Sequence, residues 1–165
     1  MSLASGIVIG APRSGSGKTV VTLGLLAALR RRGVVVAPAK TGPDYIDPAF
    51  LGRAAMQEAV NLDPWSMSQG RLKDLAAMQA TGADLLLVEG VMGLFDGAAD
   101  NTGSTADLAE LLELPVVLVI DAERQSQSVA PLVAGFANWR PGVRLAGVVL
   151  NRVASMKHER MLAEA

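Results

Sequence analysis

The sequence of 165 residues contains no cysteine, only 4% aromatic residues and almost no net charge. Without cysteine the chain forms no disulfide, zinc–thiolate or iron–sulfur site, and no thiol serves as its nucleophile. The formal charge of −1 gives no basic field, so we expect no binding to nucleic acid or to an anionic membrane surface. Any chemistry in this chain must therefore use other residue types.

Long apolar runs are also missing. The N-terminus, MSLASGIVIGA, has no cationic region before its short apolar stretch, and a later run, VVLVI at 116–120, is far below membrane-spanning length. These features predict a soluble, cytoplasmic protein that does not enter a membrane. Met1 to Leu3 are equally open to interpretation as a leader added for expression.

Half of the residues are hydrophobic, which is enough to build one domain core at this length. Short runs of Val, Ile and Leu alternate with segments of helical periodicity, a pattern typical of buried parallel strands joined by crossover helices. We predict strands at 6–11, 34–39, 84–89, 115–121 and 144–150. We predict helices at 18–31, 48–58, 66–81, 104–113 and 125–138, with a further helix opening in 155–165. The predicted fold class is α/β: a three-layer α/β/α P-loop domain over residues 1–165 with a mostly parallel sheet.

The segment APRSGSGKT, at 11–19, stands between the first predicted strand and the first predicted helix. This is the setting of a phosphate-binding loop in nucleoside triphosphatases. Gly15 and Gly17 let the backbone approach phosphate oxygens. Lys18 neutralises the β- and γ-phosphates, and Thr19 can ligate magnesium. The predicted ATP-binding residues here are Arg13, Ser14, Gly15, Ser16, Gly17, Lys18, Thr19 and Val20.

One position of this loop departs from the general pattern, because Pro12 stands where the standard motif has glycine. The loop therefore belongs to a variant class. Chromosome-partition and nitrogenase-iron-protein ATPases carry a second lysine five residues before the loop lysine, and Arg13 occupies that position here. Arg13 has two interpretations: a cation that reaches a phosphate across a dimer interface, or an exposed loop residue, which we favour.

The segment DLLLVEGVMGLFDG, at 84–97, brings Glu89 to the carboxyl end of an apolar strand. A carboxylate at such a strand end, beside a phosphate loop, is placed to hold magnesium directly or through water. The alternative is a strand-end acid with only structural hydrogen bonds. Asp96 lies in the following glycine-rich bend, and the sequence supports a metal or substrate role for it less strongly than for Glu89.

A third segment, KTGPDYIDP at 40–48, leaves the end of the second predicted strand. Its Lys40, Asp44 and Asp47 are placed to meet substrate and metal at the edge of the nucleotide site. Taken alone, an Asp-rich segment of this kind usually only forms a turn, in which the Asp side chains bond to nearby backbone groups. Asn151 ends the fifth predicted strand, where its amide can pair with an adenine edge. His158 has no partner histidine or cysteine, and we expect it to be solvated.

Together, GSGKT, KTGPDYIDP, VEGVMGLFDG, GSTADLAELLELPVVLVIDA and NR resemble the N-terminal synthetase domain of the cobyrinic or hydrogenobyrinic acid a,c-diamide synthases, over residues 6–153. The resemblance implies a ligase of cobalamin biosynthesis that uses ATP and magnesium to activate two corrinoid carboxylates as acyl phosphates. Nitrogen from glutamine or ammonia then displaces phosphate. The implied catalytic residues are Lys18, Asp44, Asp47, Glu89 and Asp96. The implied magnesium residues are Thr19, Asp47 and Glu89, the implied substrate residues are Lys40, Asp44, Tyr45 and Ile46, and Asn151 matches an adenine-contacting position.

The same family carries a C-terminal glutaminase domain with a cysteine nucleophile, of which this sequence contains nothing. We therefore expect the chain to be the synthetase part of a longer enzyme whose partners are a corrinoid substrate and that glutaminase domain. A homodimer is left open, as is the choice between cobalt-containing and cobalt-free corrinoids. Two other functions remain: a partition-type ATPase switch and a ligase similar to dethiobiotin synthetase.

Overall fold

The computed structural model describes residues 5–165, so the question of a leader at Met1 to Leu3 falls outside the described residues. Strands and helices alternate through this range. The strands are β1 (Gly6–Gly10), β2 (Val36–Thr41), β3 (Val60–Leu62), β4 (Leu85–Glu89), β5 (Val116–Asp121) and β6 (Leu145–Asn151). The helices are α1 (Lys18–Arg31), α2 (Asp47–Ala55), α3 (Gln69–Gln79), α4 (Thr105–Leu111), α5 (Val129–Asn138) and α6 (Met156–Glu164).

The strands of the described chain form one six-stranded sheet in the order β3-β2-β4-β1-β5-β6, and every neighbouring pair is parallel. The predicted three-layer α/β class is confirmed. β1 lies in the middle, paired with β4 on one side and with β5 on the other. Because the carboxyl ends of parallel strands meet at one edge, the loop after β1 lies between the loops that follow β4 and β5.

Side chains of the central strands alternate between two apolar cores, one on each face of the sheet. Ile9 and Leu87 contribute to the core that α1 covers with Leu26. Val8 and Leu86 contribute to the opposite core, with helices α3 and α4 packed against it. Burial on both faces explains why these strands are almost entirely Val, Ile and Leu.

The five predicted strands and six predicted helical segments are all present, with shifted ends, and one strand was missed. β3 has only three residues, one of them Asn61, and lies at the sheet edge beside β2. The helix predicted from 66 begins at Gln69, because the Ser68 side chain caps it by accepting from the Arg71 amide. Among residues 5–165, no helix has both the length and the apolarity to cross a membrane.

Candidate functional site

The phosphate loop leaves β1 and ends at the first residue of α1. Gly15 and Gly17 have φ angles of 79° and 92°, in the left-handed region that favours glycine. At Gly17 a Cβ atom would collide with the side-chain amide of Asn151. The Ser16 hydroxyl donates to the carbonyl of Arg13 at 2.9 Å, which closes the turn. Both glycines thus have a backbone conformation that other residues rarely adopt, while the predicted approach of this backbone to phosphate oxygens stays a prediction.

Lys18 opens α1, and its ammonium reaches across the loop to the bend after β4. Its Nζ donates to the carbonyl of Met92 at 2.7 Å. Burial, together with the nearby charge of Lys40, lowers the pKa of Lys18. An anion beside this ammonium would offset both effects, which is the electrostatic condition for binding phosphate.

The side chains of Thr19, Lys40, Asp47 and Glu89 meet beside the phosphate loop, and we call them the acid–lysine cluster. The Thr19 hydroxyl donates to Oε1 of Glu89 at 2.5 Å. Lys40 Nζ lies 2.7 Å from Oδ2 of Asp47 and 3.3 Å from Oε1 of Glu89. Glu89 is fully buried, and this burial raises the pKa of its carboxyl. Three separate sequence motifs thus supply one charged cluster.

The segment between β2 and α2 is held by Asp44. Its Oδ1 accepts from the amides of Ile46 and Asp47, both at 2.8 Å. Partial burial, the largest single cause, raises the pKa of Asp44, but these amide bonds and Lys40 outweigh it, so the pKa lies below its ordinary value. Tyr45 is 93% exposed. The predicted substrate residues Tyr45 and Ile46 are therefore presented to solvent by an ionised turn residue.

Asp96 lies in the bend after β4 and holds its shape. Its Oδ2 accepts from the amide of Gly93 at 2.8 Å. The charge of Asp96 also acts on Lys18, whose pKa it raises slightly against the effect of burial. These contacts give Asp96 a structural bond and an electrostatic influence on the loop lysine, while its predicted catalytic role stays a prediction.

Asn151 ends β6 and is tied to the phosphate loop. Its Nδ2 donates to the carbonyl of Ser16 at 3.0 Å, and its Oδ1 accepts from the amide of Arg152 at 3.0 Å. Both polar atoms of this amide already have a partner within the chain. The predicted contact with an adenine edge stays a prediction, but the observed bond shows that Asn151 positions the loop.

Sequence reasoning missed a second charged group, in which Asp121 lies between Arg13 and Arg152. Oδ2 of Asp121 is 2.6 Å from Arg152 and 3.4 Å from Arg13. From the sequence alone, Asp121 is only the end of the predicted strand 115–121, with no role assigned to it. The available signal was topological: Asp121 and Asn151 end neighbouring parallel strands, so their side chains and that of Arg152 had to lie close together.

Most of these residues line one cavity of about 410 Å³ at the carboxyl edge of the sheet. It is lined by Ser14, Gly15, Gly17, Lys18, Thr19, Val20, Lys40, Asp44, Asp47, Glu89, Gly90, Val91, Met92 and Arg152. A larger cavity of about 770 Å³ lies near Phe95 and Phe136. Its Arg140 is already paired with Asp107 and Glu110. The smaller cavity contains the acid–lysine cluster together with Lys18, so the candidate site lies there.

Comparison with known families agrees with this geometry. Residues 7–165 match the family described as the CobQ/CobB/MinD/ParA nucleotide binding domain. The chain belongs to this family. It is accordingly a nucleotide-binding P-loop domain, as the loop at 11–19 predicted.

Individual proteins similar to this nucleotide-binding domain carry the name of one particular enzyme. The chain is 58% identical over 161 residues to a hydrogenobyrinate a,c-diamide synthase of Brucella suis biovar 1, a match covering 97% of this chain and 37% of that protein. It is 56% identical to the protein of that name from Rhizobium meliloti, over 98% of this chain and 38% of the relative. The resemblance to a,c-diamide synthases is confirmed, and the chain spans little more than a third of their length.

A solved structure shares the fold. The Signal Recognition Particle 54 kDa protein from Aeropyrum pernix K1, in complex with GDP, superposes with a TM-score of 0.67 over 98% of this chain and 38% of that protein. The sequence identity is only 17%, so this likeness concerns the fold alone.

The residues of this nucleotide-binding domain fit magnesium when it arrives with phosphate. Oε2 of the fully buried Glu89 has no hydrogen-bond partner within the described chain. Within residues 5–165, no group of three or more His, Cys, Asp or Glu is arranged to hold a metal by itself. Magnesium usually takes one or two carboxylates and completes its shell with waters and substrate phosphates. Thr19 and Glu89 provide one hydroxyl and one carboxylate, which is enough for magnesium bound in this way.

The prediction that His158 is solvated is wrong. The side chain is half-buried, with Nε2 at 2.7 Å from the carbonyl of Gln125 and Nδ1 accepting from the amide of Ala154 at 3.1 Å. Because Nδ1 accepts from this amide, Nε2 is the ring nitrogen left to donate to the Gln125 carbonyl. His158 thus fastens α6 to the segment that follows β5, away from the acid–lysine cluster.

Proposed function

We propose that this chain is the ATP-dependent synthetase part of a hydrogenobyrinate a,c-diamide synthase, a carbon–nitrogen ligase of cobalamin biosynthesis. The observation that carries the proposal is the meeting of Lys40, Asp47 and Glu89 beside the phosphate loop, at 2.7 and 3.3 Å. The names of relatives that are 58% identical support it and favour the cobalt-free corrinoid, a choice that the motifs left open.

The reaction follows from the weak electrophilicity of a carboxylate. A side-chain carboxylate oxygen of the corrinoid attacks the γ-phosphorus of ATP, and the bond from that phosphorus to the bridging oxygen breaks, releasing ADP. Ammonia then attacks the acyl carbon, loses a proton, and phosphate leaves with the electrons of the carbon–oxygen bond. Catalysis depends on bringing two anions together, so positioning and charge compensation supply most of the rate.

The cavity residues divide this task. Lys18 and the loop amides are proposed to hold the triphosphate, and Lys40 to hold the reacting carboxylate. Thr19, Asp47 and Glu89 are the proposed magnesium residues. When bound, the metal offsets the charge of the β- and γ-phosphates. The exposed Tyr45 and Ile46 are proposed to contact the corrin periphery, with Asp44 fixing the turn that presents them.

The remaining part of the enzyme is proposed to supply nitrogen. The chain spans 37% of its Brucella relative and has no cysteine, so it cannot itself release ammonia from glutamine by a thiol mechanism. A glutaminase domain is the proposed partner, and the proposed location is the cytoplasm. The chain alone should use free ammonia, and poorly. Arg13 lies against Asp121 of its own chain, which weakens the case for a partition-type dimer.

Trapping of the acyl phosphate tests the proposal. The chain is incubated with magnesium, ATP, hydroxylamine and hydrogenobyrinic acid, and the hydroxamate is measured by mass spectrometry. We expect hydroxamate that requires both ATP and the corrinoid, and none with Lys18→Ala. Binding of hydrogenobyrinic acid is measured by calorimetry in parallel. No corrinoid binding and no hydroxamate, with ATP-driven dimers in sedimentation, would instead support the partition-type switch. ATP turnover dependent on a dethiobiotin-synthetase substrate would support that ligase.

A further inference from the structure

The charged group at the ends of β5 and β6 has no part in the chemistry described above. Asp121 is buried, with its side chain 8% exposed, and its Oδ1 accepts from the amide of Glu123 at 3.1 Å. Its Oδ2 contacts Arg152 at 2.6 Å and Arg13 at 3.4 Å. The Glu123 amide bond, followed by the two arginines, holds the pKa of Asp121 below its ordinary value. Asp121 is thus a fixed, ionised anchor for Arg152.

The contacts of the phosphate loop allow us to infer the direction of a bound nucleotide. Lys18 and Thr19 reach the β4 side, where they contact the carbonyl of Met92 and the carboxylate of Glu89. The β- and γ-phosphates belong on that side, because Lys18 of such a loop neutralises them. The opposite flank of the loop faces β6, through the bond from Asn151 to Ser16. The ribose and base therefore extend towards the ends of β5 and β6.

Arg152 is the residue that this geometry presents to the base. It lines the same cavity as Ser14 and Gly15, and its side chain remains 48% exposed. Its φ of 57° is a left-handed conformation uncommon for arginine, which re-aims the chain directly after β6. The Arg152 guanidinium is held through one nitrogen, Nη1, which donates to Oδ2 of Asp121, and this contact leaves both planar faces open for stacking on a ring. The neighbouring Asn151 has both amide atoms engaged.

We propose that Arg152 stacks on the adenine base of the bound nucleotide, and that Asp121 is a positioning residue that fixes the plane of its guanidinium. The inference deepens the proposed function and rests on its assignment of ATP to this cavity. Arg152 would thereby contribute to affinity for the base, whereas Lys18 contributes to affinity for the phosphates.

Comparison of ATP with inorganic tripolyphosphate tests Arg152, because the second ligand has the phosphates without the base. Affinities are measured by calorimetry with magnesium for the chain and for Arg152→Ala and Arg152→Lys. We expect Arg152→Ala to lower ATP affinity at least about fivefold, since stacking contributes roughly 1–3 kcal/mol per base. Tripolyphosphate affinity should stay within about twofold. Arg152→Lys keeps the charge without the plane and should resemble Arg152→Ala. An equal loss for both ligands, or no loss for ATP, would overturn the proposal.

Asp121→Asn tests the positioning role, since Asn still accepts from the amide of Glu123. We expect a smaller loss of ATP affinity than in Arg152→Ala, and no added loss in the double variant. Additive losses would contradict positioning. Melting temperatures show whether each variant is folded. Lys18→Ala separates the two proposals: if it leaves both ligands bound as before, the nucleotide site itself is misassigned, whereas failure of the Arg152 comparison alone leaves that site intact.

Discussion

The hydroxyl of Thr19 donates a 2.5 Å hydrogen bond to Oε1 of Glu89, joining the first turn of α1 to the carboxyl end of β4. The second carboxylate oxygen, Oε2, is buried without a hydrogen-bond partner in the described chain. A buried carboxylate oxygen without a donor is costly, so this site is suited to receive a cation that arrives with phosphate. The relationship gives a physical basis for the magnesium assignment.

Glu89→Gln should separate the role of this carboxylate in metal binding from its role in stability. Gln keeps the size and can accept from Thr19, but it lacks the charge. We expect ATP affinity in magnesium to fall at least about tenfold, and affinity in excess EDTA to change little. The free energy of unfolding should change by no more than about 1 kcal/mol, because removing a buried charge offsets a lost ion pair. Calorimetry and urea denaturation measure both, with exposed Asp100→Asn as control. Equal losses with and without magnesium would contradict the metal role.

The two loop glycines should differ in their tolerance of a methyl group. Gly15→Ala adds a Cβ whose nearest recorded neighbour is Arg13 Nη1 at 3.8 Å, so only the strain of positive φ remains, about 1–2 kcal/mol. Gly17→Ala has the same strain and also collides with the Asn151 amide, so it should cost more. Adding Asn151→Ala to Gly17→Ala should recover part of the difference. Urea denaturation measures each free energy of unfolding, and equal costs at the two glycines would refute the collision.

Asn151→Ala should weaken phosphate binding as well as ATP binding. The variant loses the bond from Nδ2 to the Ser16 carbonyl, which helps to fix the loop. We therefore expect similar losses, about threefold to tenfold, for ATP and tripolyphosphate, as for one hydrogen bond of roughly 1 kcal/mol. A loss confined to ATP, with reduced discrimination against GTP, would show instead that the predicted adenine contact dominates.

The ion pair between Asp107 and Arg140 should make stability depend on pH in the acid range. Partial burial raises the pKa of Asp107, but the bond to Arg140 and the Ser104 amide outweigh it and lower the pKa below its ordinary value. The folded state therefore favours the ionised form. Its stabilising effect is complete above the unfolded pKa, about 3.9, and is lost as pH falls through the lower folded pKa.

Asp107→Asn isolates this effect, since Asn retains an acceptor for the Ser104 amide. At pH 7 we expect the variant to be less stable than the parent by about 1–2 kcal/mol. The difference should be constant between pH 7 and 5 and should shrink below about pH 3.9. Urea denaturation at each pH measures it. A difference that shrinks between pH 7 and 5 would assign the effect to another group.

The fold was largely predictable from sequence because β1, β4 and β5 are buried on both faces and therefore almost wholly apolar. The short β3 was not predictable from periodicity. Its three residues carry Asn61, whose Nδ2 donates to the carbonyl of Asp44, so a polar residue there serves the turn before α2. A signal of three residues is too short to distinguish a strand from a loop.

The residues of the acid–lysine cluster were predictable, because motifs at the ends of β2 and β4 must converge at one edge of a parallel sheet. The contacts were not predictable. Strand order can bring Asp121 and Arg152 near each other, but the bond between them also depends on the left-handed backbone of Arg152, which the sequence does not predict. The prediction that His158 is solvated was wrong for a similar reason, because tertiary packing brings its partner Gln125 near.

Lys40→Met provides the most demanding test of the acid–lysine cluster. Lys40 is 3% exposed and is the cation between Asp47 and Glu89, so its loss leaves two carboxylates facing each other. We expect the free energy of unfolding to fall by about 3 kcal/mol, as for a broken buried ion pair. Exposed Lys73→Met is the matched control and should change it by less than about 0.5 kcal/mol. Glu89→Gln in the Lys40→Met background should restore at least about 1 kcal/mol, because the orphaned buried charge is removed. Strictly additive effects would show that Lys40 and Glu89 are not energetically coupled, and that Lys40 is held by Asp47 and the carbonyl of Gly90.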